Sequence, residues 1–166
     1  MITGPLKWYT VAETLRQAVH AGLTAEPQRS GVVPGQIAWD ECDCGLLAVS
    51  VSQIYLTEIF PEPAVRRVGN ACDAPWEAAE IVVQVVRCAP NPDDPMAAPP
   101  PEELAASAQE VLRDAYEMMR ALSTKLCEMN NERAIADFIL RPLTAQGPLG
   151  GCVGNEVRAI VSLPRN

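Results

Sequence analysis

Three patterns in the chain predict an α+β fold, a mainly antiparallel β-sheet with two helices packed on it. Residues 46–60 and 76–88 are apolar runs with many β-branched residues, joined by a connection that carries Pro61, Pro63, Gly69 and Pro75. Residues 102–129 place apolar side chains three and four apart over about seven helical turns. Residues 152–163 alternate in the manner of a strand. At 166 residues and 48% hydrophobic content, the chain is long and apolar enough for one domain with its own core. That domain spans 1–166, with residues 1–9 as an N-terminal arm and 89–101 as a proline-rich spacer.

The first helix is expected over residues 11–21. Thr10-Val11-Ala12-Glu13 has the form of a capping box, and Val11, Leu15, Ala18, Val19 and Leu23 make one apolar stripe. Gly22 suits its end. The single histidine, His20, falls off the stripe and reads as a solvated helix residue. Residues 24–38 contain Pro27, Gly31, Pro34 and Gly35 and read as a loop.

Next comes Trp39-Asp40-Glu41-Cys42-Asp43-Cys44-Gly45, which leads into the long run at 46–60. In the first half of that run, Leu47, Val49 and Val51 would share one strand face, and Leu46, Ala48, Ser50 and Ser52 the other. The run is about twice a typical strand length, so it is a long ribbon or two strands with a bend. The second run has both faces apolar around Gln84, as expected of a central strand covered on both sides. The two should pair antiparallel.

Residues 89–101 carry six prolines and Asp93-Asp94 and form a stiff, solvated spacer. In the helix that follows, Leu104, Ala108, Val111, Leu112, Ala115, Met118, Met119, Leu122, Leu126 and Met129 form the stripe, and the Met residues read as core fillers. Pro101 suits its first position, Glu102-Glu103 its positive end, and Asn130-Asn131 its stop. Phe138-Ile139-Leu140 suits a short strand, and residues 147–151 read as a turn. In the last strand Val153, Val157, Ala159, Val161 and Leu163 share one face against Glu156, Arg158, Ile160 and Ser162, as in an outer or half-exposed strand.

Charge and motifs narrow the chemistry. A net charge of −8 gives no electrostatic footprint for gripping phosphates. Residues 1–7 lack a basic region followed by an apolar core, and no apolar run reaches the ~20 residues that span a bilayer. No membrane association is expected, and the protein should stay in a reducing cytoplasm. Gly150-Gly151-Cys152-Val153-Gly154 lacks the Lys-Ser/Thr ending of a phosphate loop. Asp40, Glu41 and Asp43 lack the spacing of a calcium loop. No catalytic, cofactor-binding or metal-ligating set is expected, and the protein does not read as an enzyme.

Of the six cysteines, Cys88 and Cys127 fall inside apolar strand and helix patterns and read as core thiols. Cys42, Cys44, Cys72 and Cys152 lie near turns; free or buried thiols are the main expectation, and these four are the candidates if any pair. Subunit or partner contacts are expected at Val49, Val51, Tyr55, Phe60, Arg66, Arg67 and Trp76, on the two strand runs and their connection.

The segment Trp39-Asp40-Glu41-Cys42-Asp43-Cys44-Gly45 before a long strand resembles small neck proteins of actinobacterial tailed phages. So do the proline-rich spacer before the long helix and the Gly-rich turn carrying Cys152. The helix–strands–helix–strands order is similar to that of siphophage tail terminator proteins. The resemblance implies a tail-terminator-like fold and a virion protein assembled in the host cytoplasm. It implies a homo-hexamer ring that caps the head-proximal end of the tail tube. Such a ring ends tube polymerisation, meets the tail tube protein on one side and the head-to-tail stopper or connector on the other, and lets DNA pass through without sequence-specific binding. The alternatives are another neck component, such as a head-completion or stopper protein, a tail tube subunit, or, in a different class, a small cytoplasmic enzyme using Cys42 or Cys44.

Overall fold

The computed structural model describes residues 2–35, 45–64, 74–91 and 98–165. Two helices, α1 (Lys7–Gly22) and α2 (Pro101–Asn131), pack on one sheet. Its strands are β1 (Arg29–Val32), β2 (Leu46–Thr57), β3 (Trp76–Cys88), β4 (Asp137–Leu140), β5 (Thr144–Leu149) and β6 (Cys152–Pro164). The order is β1-β2-β3-β6-β4, with β5 also on β6. All pairings are antiparallel except β1 with β2. This is the expected α+β class, with a largely antiparallel mixed sheet.

The core lies between the helices and one sheet face. Trp8, Val11, Leu15 and Val19 of α1 and Met118, Leu122, Leu126 and Met129 of α2 meet Leu47, Val49, Ile81, Val83, Val85, Val157, Val161 and Leu163. Alternate residues of β3, and of β2 and β6 along part of their length, enter this core, as the two-residue period of a strand requires. The end of α1 meets the body of α2, where a Cβ on Gly22 would stand 3.0 Å from the Cβ of Ala121.

Several expectations need correction. Helix α1 begins at Lys7, one turn before Val11, and the capping box does not form. Thr10 is already helical and its hydroxyl donates to the carbonyl of Leu6, while Glu13 bonds Arg16 and Gln17. Burial of Trp8 explains the earlier start, because it pulls the preceding turn onto the sheet. Residues 29–32, read as loop, form β1, and Thr144–Leu149, partly read as turn, forms β5. Both strands are short, and their own residues show no alternation; tertiary pairing makes them strands. Strand β6 is central, between β3 and the β4/β5 edge, and Ile160 and Ser162 on its second face are 5% and 2% exposed. Polar residues there suggested solvent because partners across the sheet were not visible in the sequence.

The apolar stripe of α2 also does more than build the core. No side chain from residue 101 to 110 is buried. Leu104 is 50% exposed although it continues the face that buries Leu122. Cys88 is disulfide-bonded and not a core thiol, and Cys127 is an exposed free cysteine on α2. The segment at 39–44 and the connection at 65–73 lie outside the described residues.

Leucine-to-alanine changes on α2 separate its two halves. Leu122→Ala should destabilise the fold by about 2–5 kcal/mol, as a cavity beneath a buried helix does. Leu104→Ala should shift stability by no more than about 0.5 kcal/mol. Urea unfolding monitored by circular dichroism checks both.

Candidate assembly interface

The ribbon of β2 and β3 is built by β-branched residues and pinned by a long antiparallel register. The register slips between Val51 and Gln53, so Ser52 is an extra, bulged residue. The slip exchanges the faces. Up to Val51 the odd residues of β2 point to the helices; beyond it Ile54 pairs with Ala79 on that side, and Gln53 and Tyr55 turn to the other. Of the two expectations for this run, the long ribbon is the one found: β2 is a single strand with a bulge inside it.

The expected contact residues are placed as follows. Val49 is fully buried in the core, and Val51 is half-buried against it. Tyr55 is half-buried and donates its hydroxyl to the carbonyl of Pro61 at 2.7 Å. Burial pushes its phenol above the ordinary value, and the Glu80 carboxylate adds to this. Phe60 and Trp76 are half-buried. Arg66 and Arg67, with Cys42, Cys44 and Cys72, lie outside the described residues. Cys152, like Cys88, is disulfide-bonded; the two are directly opposed at the end of the β3–β6 pairing.

The sheet face turned away from the helices carries a line of polar groups. Ser52 donates to Glu80 at 2.8 Å, Arg158 to Glu80 and to Glu156, each at 2.8 Å, and Gln84 to Glu156 at 2.8 Å. The line crosses β2, β3 and β6. The Glu156 hydrogen bond raises the Arg158 guanidinium above its usual range, with Glu80 contributing. Such partly exposed pairs add little stability each, but they keep Glu80, Glu156 and Arg158 oriented on one surface.

On the helix side, Arg87 donates to both carboxylate oxygens of Asp114 at 2.7 and 3.0 Å and to the carbonyl of Ala25 at 2.6 Å. Arg87 is 5% and Asp114 1% exposed. The bidentate hydrogen bonds hold the guanidinium charged above its ordinary range. Asn155 donates to the carbonyl of Val111 at 2.7 Å. These contacts fix α2 to the sheet at the point beyond which its N-terminal turns are exposed. One signal for the pair is visible in the residues: a charged side chain sits inside each apolar pattern.

Between α1 and α2 lies an open groove of about 800 Å³, lined in part by Thr24, Tyr116, Glu117 and Arg120. Glu117 accepts from the amide and hydroxyl of Thr24 at 2.8 and 2.6 Å. Burial raises this carboxyl, and the Thr24 hydrogen bonds with nearby Arg113 and Arg87 outweigh it, so it sits below the usual value. His20 lies 3.5 Å from Glu26. Among the described residues no three His, Cys, Asp or Glu side chains gather as a metal site, and no helix is long and apolar enough to cross a membrane. Neither a protein-family model nor a curated protein matches this sequence.

Removing one partner of the buried ion pair should cost far more than removing both. Arg87→Met leaves the Asp114 carboxylate buried without its bidentate donor and should destabilise by about 3–5 kcal/mol. The double variant Arg87→Met, Asp114→Leu should recover most of that loss. Comparison of urea midpoints measures the difference.

Proposed function

We propose that this chain is a structural virion protein, a tail terminator that forms a homo-hexameric ring on the head-proximal end of a phage tail tube. The fold is then read as tail-terminator-like. What supports the reading is the likeness of residues 39–45, the proline-rich spacer and the Cys152 turn to actinobacterial phage neck proteins, together with the element order. The observation that carries it furthest is β2, which runs on past β1 with Ser52, Gln53 and Ile54 exposed among the described residues. A strand edge of this kind recruits further strands.

The surfaces divide the work in this reading. The β2–β3 ribbon forms subunit contacts, one ring face meets the tail tube protein, and the opposite face meets the head-to-tail stopper. An acidic chain repels DNA, so the central hole lets it slide without being held. The protein acts through these contacts and makes or breaks no bond in a substrate.

Negative-stain microscopy of the purified protein mixed with tail tubes tests the reading. A ring on one end of each tube is expected, and particles made without the protein should carry abnormally long tails. Normal tails with filled heads that leak DNA would assign it instead to the stopper position.

A further inference from the structure

The first turns of α2 reach past the layer on which α2 is packed. Residues 101–110 have no buried side chain. Anchoring begins at Glu110, 3.8 Å from Arg87, and continues at Val111 and Asp114, which bond Asn155 and Arg87. At 1.5 Å per residue the bare stretch is an arm about 15 Å long. So short a helix gains little from its own hydrogen bonds and is stabilised by packing on another surface. The arm has one apolar side. Leu104, Ala108 and Leu112, four apart, form a ridge and are all exposed, Leu104 at 50% and Leu112 at 69%. Glu102 and Glu103 stand at its tip.

The open groove of about 800 Å³ between α1 and α2 lies further along α2, from Tyr116 to Glu128. Ala18, Ala21 and Ala121 line it, so that a helix can lie close. Two carboxylates on its rim are engaged within the subunit: Glu117 accepts from Thr24, and Glu128 from Lys125. The Arg120 side chain on the same rim is exposed. Arm and groove are therefore of opposite kind. One is an apolar ridge with an acidic tip, and the other is a concave surface with a cation at its edge, in a chain whose net charge is −8.

We infer that the α2 arm of one copy lies in the α1–α2 groove of the next. This rests on the ring reading and adds a contact to that of the β2–β3 ribbon. The ridge of Leu104, Ala108 and Leu112 fills the groove, and Glu102 and Glu103 come beside Arg120. Opposite charges fix which way the arm enters and discriminate against two acidic tips meeting. Arm and groove occupy separate lengths of α2, so one copy gives its arm to one neighbour and its groove to the other. Such a contact is heterologous, the kind from which rings close.

Cross-linking of the full chain tests the contact. Ala105→Cys and Ala21→Cys are made separately in a Cys127→Ser background, one isotopically labelled, and the two are mixed before assembly and oxidised. Mass spectrometry should find residue 105 of one copy linked to residue 21 of the other. Leu104→Lys should raise the chain concentration at which rings appear in light scattering by about tenfold or more, with its circular dichroism spectrum unchanged. Glu102→Lys with Glu103→Lys should raise it too, and adding Arg120→Glu should lower it again. Rings that form without the 105–21 link, at an unshifted concentration in Leu104→Lys, or with no recovery on adding Arg120→Glu, overturn the contact and leave the ring reading standing. A 105–105 link in the Ala105→Cys sample alone would show arms paired with arms and overturn it too. A wild-type chain that stays monomeric with tail tubes present overturns both.

Discussion

The pairing of β3 with β6 supports everything else in the molecule. It runs in unbroken register from Trp76 opposite Pro164 to Cys88 opposite Cys152. Each strand sends alternate residues into the helix-covered core, and the short strands β4 and β5 pair with β6. Strand β2 joins on the other side of β3. Close backbone approach is part of the arrangement: a Cβ on Gly154 would meet the carbonyl oxygen of Val85 at 2.1 Å, so glycine is required where β6 lies against β3. Because the central pair is long and continuous, the outer strands can be short, bulged or left uncovered without loss of the fold.

The two faces of this sheet are different materials. The helix side is closed mainly by dispersion and apolar burial, which are indifferent to direction, with the Arg87–Asp114 pair and the Asn155 hydrogen bond as directional anchors. The other side carries directional contacts among Ser52, Glu80, Gln84, Glu156 and Arg158. Polar residues such as Ser50, Gln84 and Ser162 are nevertheless almost wholly buried there. The bulge at Ser52 links the two, because it moves Gln53 and Tyr55 onto the polar side and Ile54 onto the helix side. One inserted residue thus decides what the end of β2 offers to its surroundings.

Much of this was legible in the residues. The long strand and helix patterns located β2, β3, α2 and β6 closely, since long periodic segments carry their own signal. Strands β1 and β5 were not legible, because four or six residues without alternation become strands only when a neighbour pairs with them. The centrality of β6 was hidden for the same reason, and its polar second face was read as solvent-facing. Capping at Thr10 failed because the buried Trp8 lengthens the helix past it. Of the candidate contact residues, Val49 is committed to the core, Val51 packs against it, Tyr55 and Trp76 are half-buried on the ribbon, and Phe60 is half-buried in the turn after β2. The stripe on α2 was read correctly as periodic but wrongly as wholly buried, since periodicity says which side faces inward and not where the sheet stops.

The oxidised state of Cys88 and Cys152 gives the chain two chemical ages. Glutathione keeps thiols reduced where cytoplasmic proteins are made, so a chain folded there must first stand on its apolar layer and strand pairing alone. In an oxidising environment disulfides at Cys88 and Cys152 add covalent ties at that end of β3 and β6. The fold is therefore held more loosely under reducing conditions than under oxidising ones, and a reductant exposes the difference.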